Sequence, residues 1–174
     1  IIRKIQYSEK VYRFDVEAPL IAKSRKAGNF VIIRVDANSE RMPLTIADAD
    51  IEKGTITLVV QKVGLSSTKL CNLNEGDEIH DVVGPLGNPT HIENFGTVLC
   101  AGGGVGVAPM LPIIKALKAA GNRVLSVIAG RSKDLVIMED EVRASSDELI
   151  IMTDDGSYGE KGVVTVGMEK LIQQ

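Results

Sequence analysis

Three short stretches of this chain carry residue types that can hold phosphate, and one of them can also address a ring nitrogen. Arg41-Met42-Pro43-Leu44-Thr45 sets a planar, bidentate cation ahead of a hydroxyl, with a proline stiffening the backbone between them. A guanidinium grips a diphosphate, and a threonine hydroxyl donates to or accepts from a ring nitrogen. Gly64-Leu65-Ser66-Ser67-Thr68 reads as the opening of a short helix that runs through Cys71, with hydroxyls and unpaired amides at its positive end. The third stretch, Thr97 to Pro109, is an apolar strand running into Gly102, Gly103, Gly104, Val105 and Gly106 before a helix from Val107 to Ala120.

Glycine leaves room for a close ligand or a positive φ, and Pro109 falls near the first helical turn, where a missing N–H costs nothing. The dinucleotide fingerprint is met only loosely, since Gly102 and Gly104 fit its first two glycines and no clean third follows. A Walker-type loop is excluded, because no Gly-Lys-Ser or Gly-Lys-Thr follows. Taken singly, each stretch has a plain structural reading as a strand after a turn, a capped helix or a glycine turn. Taken together they place two diphosphate sites on two different architectures, which implies two nucleotides facing each other.

The elements that must position these residues change in texture along the chain. Up to about Val83 the sequence reads as short strands: Ile1–Tyr7, the strictly alternating Tyr12–Glu17, Phe30–Val35, Met42–Ile46, Thr55–Val63 and Glu78–Val83. Turn residues separate them at Gly28-Asn29, Asp36–Ser39, Gly54 and Gly76-Asp77. Six such strands predict a small antiparallel β-barrel. After residue 95, apolar strands at Thr97–Ala101, Arg123–Ala129 and Glu148–Met152 alternate with helices from Val107, near Met138–Ser145 and over Val163–Gln174. That alternation predicts an α/β domain on a parallel sheet. If the second and third strands lie on one side of the first, its other edge is left uncovered, so the α/β domain is expected to be truncated at its C-terminus.

Composition removes several classes of function. The net charge is −3, the cations are scattered and aromatic residues make up 3%, which leaves no basic face or stacking platform for nucleic acid. No apolar run reaches a membrane span and no leader pattern opens the chain, so a cytoplasmic location is expected. Cys71 and Cys100 form neither a disulfide framework nor a metal pair, and His80 and His91 lack partners at metal-ligand spacing. No metal site is expected.

The order of these motifs resembles the ferredoxin–NADP reductase superfamily. Arg41 to Asp48, Asp81 to Gly87, Gly102 to Pro109, Ala129 to Asp134 and Thr153 to Gly159 are similar to one branch in particular. That branch holds the flavin subunits of NADH-dependent ferredoxin–NADP reductases and the electron-transfer subunits of dihydroorotate dehydrogenase, and the Arg-x-Pro-Leu-Thr-Ile-Ala-Asp string points to the former. The resemblance implies an FAD-binding barrel over residues 1–95 and an NAD(P)-binding domain over 96–174. It puts Arg41 on the FAD diphosphate, Met42, Pro43, Leu44 and Thr45 along the flavin with Thr45 tuning its N5 edge, and Gly64, Ser66, Ser67 and Thr68 around the FAD phosphates. It gives Gly103, Gly104, Val105 and Gly106 to the NAD(P) diphosphate, Arg131 and Ser132 to the adenosine ribose, and Asp154, Asp155 and Gly156 to the cofactor cleft.

The resemblance further implies a hydride passing from NAD(P)H to FAD, with electrons going on to a larger iron–sulfur flavoprotein subunit or a ferredoxin. Two departures stand out. Leu44 occupies a position where many relatives carry a ring-stacking tyrosine. The [2Fe–2S] cluster of the full-length branch has no ligands here, because two cysteines cannot supply its thiolates. A non-catalytic fragment that binds FAD and NAD(P) is the alternative. A methyl-donor enzyme is disfavoured, since Arg131 stands where an acid is needed and the barrel is left unexplained.

Overall fold

Alternating apolar residues build the first half of the molecule. In the computed structural model, which describes residues 1–173, Phe14 and Val16 of the alternating stretch point into a core and its polar residues point out. The strands are β1 (Arg3–Gln6), β2 (Val11–Glu17), β3 (Phe30–Arg34), β4 (Met42–Asp50), β5 (Thr55–Gln61) and β6 (Asp81–Leu86), with α1 (Pro19–Ser24) after β2 and α2 (Leu65–Asn72) after β5. They form one antiparallel sheet in the order β1-β2-β5-β4-β3-β6.

Five seams of this barrel are ladders. At the sixth, β1 meets the turn leading to β6: Gly76 N–H donates to the Ile1 carbonyl at 2.8 Å and the Ile1 ammonium to the Asp77 carbonyl at 2.8 Å. One core serves the whole sheet, with Phe14, Val31, Ile33, Ile46, Ile56 and Leu58 joined by Leu70 and Cys71 of α2.

Two local features depart from the sequence pattern. The last strand forms three residues later than expected, at Asp81–Leu86, because Gly84-Pro85 does not end it. The chain runs through that pair as an irregularity opposite Phe30 and Ile32. An edge strand tolerates the missing proline N–H there. β4 continues past Ile46 to Asp50 and divides its partners: Met42–Thr45 pair with β3, whereas Ile46–Asp50 pair with β5. Helix α1 had no sequence signal beyond Pro19.

A second compact unit begins at His91. It contains β7 (Thr97–Gly103), a single 3₁₀ turn at Gly104–Gly106, α3 (Val107–Ala119), β8 (Arg123–Gly130), α4 (Glu139–Ala144), β9 (Glu148–Thr153), the short β10 (Glu160–Lys161) and α5 (Val164–Ile172). The sheet is parallel in the order β10-β9-β8-β7, and among the described residues no strand covers the other edge of β7. Leu125, Val127, Ala129 and Met152 form its core under Leu171 of α5. Buried Asn122 ties the chain entering β7 to the end of α3, accepting from Phe95 N–H at 2.7 Å and donating to the Glu93 and Leu117 carbonyls at 2.8 and 2.9 Å. Gln174, the final residue of the expected last helix, lies outside the described residues.

Candidate functional site

The candidate site of the first unit lies where β4 changes partners. Because Met42–Thr45 pair with β3 and the end of β5, Val59–Gln61, pairs with β2, no ladder joins these two stretches. Alternation turns Met42 and Leu44 onto the barrel core and leaves Arg41 and Pro43 exposed and Thr45 half-buried. The Arg41 guanidinium makes no hydrogen bond or ion pair with the described residues, and neither does the Thr45 hydroxyl. A guanidinium and a hydroxyl without partners among the described residues, four residues apart on one face of the same stretch, leave hydrogen-bonding capacity to spare.

Helix α2 starts at Gly64 with the Ser67 side chain folded back on it. Ser67 Oγ accepts from Val63 N–H at 3.0 Å and Gly64 N–H at 2.9 Å, and donates to the Gly64 carbonyl at 3.0 Å. The hydroxyl of Ser67 is therefore spent on the helix, whereas those of Ser66 and Thr68 have no partner among the described residues. The N–H groups of Leu65 and Ser66 also remain without acceptors there, as at any helix start. Space beside Gly64 is open, since a Cβ built there meets nothing within 4 Å.

The same helix holds the loop that carries Arg41. Lys69 Nζ donates to Asp36 Oδ2 at 2.8 Å and Ser39 Oγ at 3.2 Å. That ammonium, with Ser39 and the Asn38 N–H, brings the Asp36 carboxyl down to about 2. Sequence reading gave no sign of this tether, whose partners lie 30 and 33 residues apart.

In the second unit the candidate site is backbone. Gly102 and Gly103 belong to β7 and pair with Ile128 and Ala129, so the turn proper begins at Gly104, whose φ is +52°. A Cβ on Gly102 would lie 3.1 Å from the Gly106 carbonyl oxygen and 3.3 Å from Met110 Sδ, so that glycine serves internal packing. By contrast, a Cβ on Gly103 has nothing nearer than the Ala129 carbonyl at 3.8 Å, and at Gly104 and Gly106 it meets nothing within 4 Å. The chain's own packing leaves that space free. Val105 stands in the turn between them, and α3 follows without a break, with Pro109 in its first turn.

Arg131, Ser132, Asp154, Asp155 and Gly156 come together on the loops after β8 and β9. Asp154 N–H donates to the Gly130 carbonyl at 3.1 Å and Asp155 N–H to the Arg131 carbonyl at 3.2 Å. Lys133 N–H donates to Ser157 Oγ at 2.9 Å, and its ammonium sits 5.2 Å from the Tyr158 ring centre. The Tyr158 hydroxyl donates to Glu139 at 2.9 Å, which holds the phenol above its usual range. Ser132 Oγ donates to Asp134 at 2.5 Å, while the Arg131 guanidinium has no partner among the described residues. Tyr158 was missed by the sequence reading, and only its place beside the Asp-Gly turn could have suggested it.

Cys71 is buried and Cys100 partly so, and burial raises both thiols. Among the described residues no group of His, Cys, Asp and Glu could hold a metal, and no helix is long and apolar enough to cross a membrane.

No protein-family model matches the chain. Across 174 residues it is 49% identical to a dihydroorotate dehydrogenase B (NAD(+)) electron transfer subunit homolog of Thermotoga maritima, covering all of this chain and 61% of that protein. A dihydroorotate dehydrogenase B (NAD(+)) electron transfer subunit of Streptococcus pneumoniae is 31% identical over 179 aligned positions, with 100% of this chain and 69% of the relative covered. A solved chain from work on an NADH-dependent reduced ferredoxin-NADP oxidoreductase and flavin-based electron bifurcation matches with a TM-score of 0.95 at 45% identity, over 100% of this chain and 63% of that one. The chain belongs to the ferredoxin–NADP reductase superfamily of oxidoreductases, in the group formed by the dihydroorotate dehydrogenase B electron transfer subunits and their homologues. It spans about three fifths of the length of the Thermotoga protein and of the solved chain.

Proposed function

We propose that this chain is the flavin-bearing part of an electron-transfer subunit, with FAD on the barrel unit and NAD(P) on the α/β unit. The observation that carries this reading is the pair of phosphate-competent helix starts: one in the unit that also carries the Arg41 guanidinium, which has no partner among the described residues, the other beside glycines whose missing Cβ atoms leave room the fold does not use. A bound FAD would supply the chemistry of accepting a hydride from NAD(P)H and passing electrons singly to an iron–sulfur acceptor.

The chain's residues supply position and polarity. Arg41 neutralises a diphosphate held on the N–H groups of Leu65 and Ser66, with the hydroxyls of Ser66 and Thr68 completing the shell. Thr45 presents its hydroxyl to the edge of the ring system, and Met42 and Leu44 offer backbone, since their side chains are committed to the core. Gly103, Gly104, Val105 and Gly106 accept the second diphosphate against backbone, and Arg131 with Ser132 stands by the adenosine ribose. Asp154, Asp155 and Gly156 line the cofactor cleft from a loop already braced by Tyr158. Cys71 and Cys100 do not fit an iron–sulfur cluster, one being buried on the barrel core and the other on a strand of the second unit. The described residues therefore offer no cluster site; the electron acceptor is a larger iron–sulfur flavoprotein subunit or a ferredoxin, and we place the assembly in the cytoplasm.

Adding FAD to the cofactor-free chain and following the quenching of flavin fluorescence tests the reading. Saturable quenching is expected, weakened by Arg41→Ala. A chain that takes up no FAD would remove the barrel from flavin chemistry.

A further inference from the structure

The parallel ladders fix what stands beside the glycine turn. Gly103 pairs with Ala129 and Ala129 with Met152, so the loops after β8 and β9 leave the sheet at the same end as the turn after β7, and in that order. The β9 loop is thus two strand spacings, roughly 10 Å, from the turn assigned to the diphosphate. A nucleoside attached to that diphosphate has both loops within reach. The two loops are already joined by the Asp155 N–H on the Arg131 carbonyl and by the Lys133 N–H on Ser157 Oγ.

A further anchor for them sits on α4. The two oxygens of the Glu139 carboxylate accept from the Tyr158 hydroxyl at 3.2 and 2.9 Å, and one of them also accepts from Arg143 Nη2 at 2.8 Å. Tyr158 in turn carries the Lys133 ammonium 5.2 Å from its ring centre, so one carboxylate is linked through one ring to both loops. The backbone of Tyr158 is held separately: its N–H donates to Thr153 Oγ1 at 3.1 Å, and its carbonyl accepts from that hydroxyl at 2.6 Å. Removing the phenol hydroxyl therefore releases the ring from α4 without unpinning the chain. The residue ahead of Glu139 is strained, since Met138 is 3% exposed and left-handed at φ +57°, a conformation disfavoured for residues with a Cβ. Strain kept directly before the carboxylate that anchors the loops points to a place where position counts.

We propose that Glu139 is a positioning residue for the nicotinamide nucleotide, holding Tyr158 and through it the two loops in the arrangement that receives the adenosine half. This rests on the NAD(P) assignment of the α/β unit. The charge-assisted hydrogen bond acts through Tyr158 and Lys133, so its loss is felt by a nucleotide that has an adenosine half and not by one that lacks it. The test follows anaerobic reduction of the FAD-reconstituted chain by the better of NADH and NADPH, and by reduced nicotinamide mononucleotide, which has no adenosine. Wild type, Tyr158→Phe and Glu139→Ala are compared, each with its melting temperature.

At low concentration the wild type is expected to react at least about tenfold faster with the dinucleotide than with the mononucleotide. Tyr158→Phe and Glu139→Ala are expected to slow the dinucleotide about five- to tenfold there, as the loss of one charged hydrogen bond allows. The limiting rate at saturation, and the reaction of the mononucleotide, should stay within about twofold. If Glu139→Ala does not fold, Tyr158→Phe carries the comparison, since it keeps the ring and the Thr153 contacts. Variants that slow both nucleotides alike, slow neither or lower the limiting rate instead overturn the positioning role and leave the NAD(P) reading standing, as does a wild type with no preference for the dinucleotide. A wild-type flavin that none of these nucleotides reduces overturns both.

Discussion

The two candidate sites, one on each unit, are made of different material. On the barrel the groups available to a ligand are mostly side chains on strand edges and a helix start: Arg41, Thr45, Ser66 and Thr68 have polar atoms with no partner among the described residues. On the α/β unit the corresponding surface is backbone, cleared by glycines at 103, 104 and 106. A site of side chains fails when a charge or a hydroxyl is removed, and the fold hardly notices. A site of cleared backbone fails when an atom is added. The two sites should accordingly respond to opposite kinds of substitution, which allows them to be broken separately.

The largest effect is expected from Gly103→Val. β7 accepts a branched residue there, since Gly103 has extended backbone and its nearest Cβ neighbour would be 3.8 Å away. Reduction by NAD(P)H is expected to fall about 100-fold, roughly 2.7 kcal/mol, with FAD affinity and melting temperature held. Gly102→Ala sharpens the contrast within the same turn, because its added Cβ meets the Gly106 carbonyl oxygen. It should cost about 1–3 kcal/mol of stability in denaturant melts. Arg41→Ala should weaken FAD about 10- to 100-fold in fluorescence titrations and leave the melting temperature of the cofactor-free chain unchanged.

Ser67→Ala breaks the symmetry between side chain and backbone, since its hydroxyl serves the helix start. It should cost about 1 kcal/mol of stability, in line with other lost helix caps, and lower FAD affinity by disordering the amides. The smallest effect belongs to the tether behind Arg41: Lys69→Met should weaken FAD only about two- to threefold, as for an exposed pair. Asp36 titrates lower in the folded chain than its ordinary 3.8, so the tether's contribution is complete above that value and is lost as pH falls towards about 2. FAD affinity measured from pH 5 to 8 should show no inflection from this group.

What could be read from the sequence follows the same division. The alternation of Tyr12–Glu17 and the apolar runs at Thr97, Arg123 and Glu148 report burial directly, so the antiparallel and parallel sheets were both legible. Local motifs were legible too, because Arg41, Gly64 and the glycine turn each act within a few residues. Contacts between distant residues were not. Lys69 reaches Asp36 and Tyr158 meets Glu139 only through the fold. The partner change in β4 at Ile46 is also set by neighbouring strands, as is the persistence of β6 through Gly84-Pro85. Nor could spacing tell the packing role of Gly102 from the cleared space at Gly103 to Gly106, which depends on where Met110 and Ala129 stand.

The central claim is that one chain holds a flavin on its barrel and a reduced nicotinamide on its α/β unit and lets them react. Its most direct measurement is an anaerobic titration of the FAD-reconstituted chain with NADH and, separately, NADPH, following the flavin's visible absorbance. The account predicts bleaching by at least one of the two nucleotides, slowed about 100-fold by Gly103→Val and preserved by Gly102→Ala at temperatures where that variant is folded. Bound flavin that neither nucleotide bleaches, or bleaching indifferent to Gly103→Val, would contradict it.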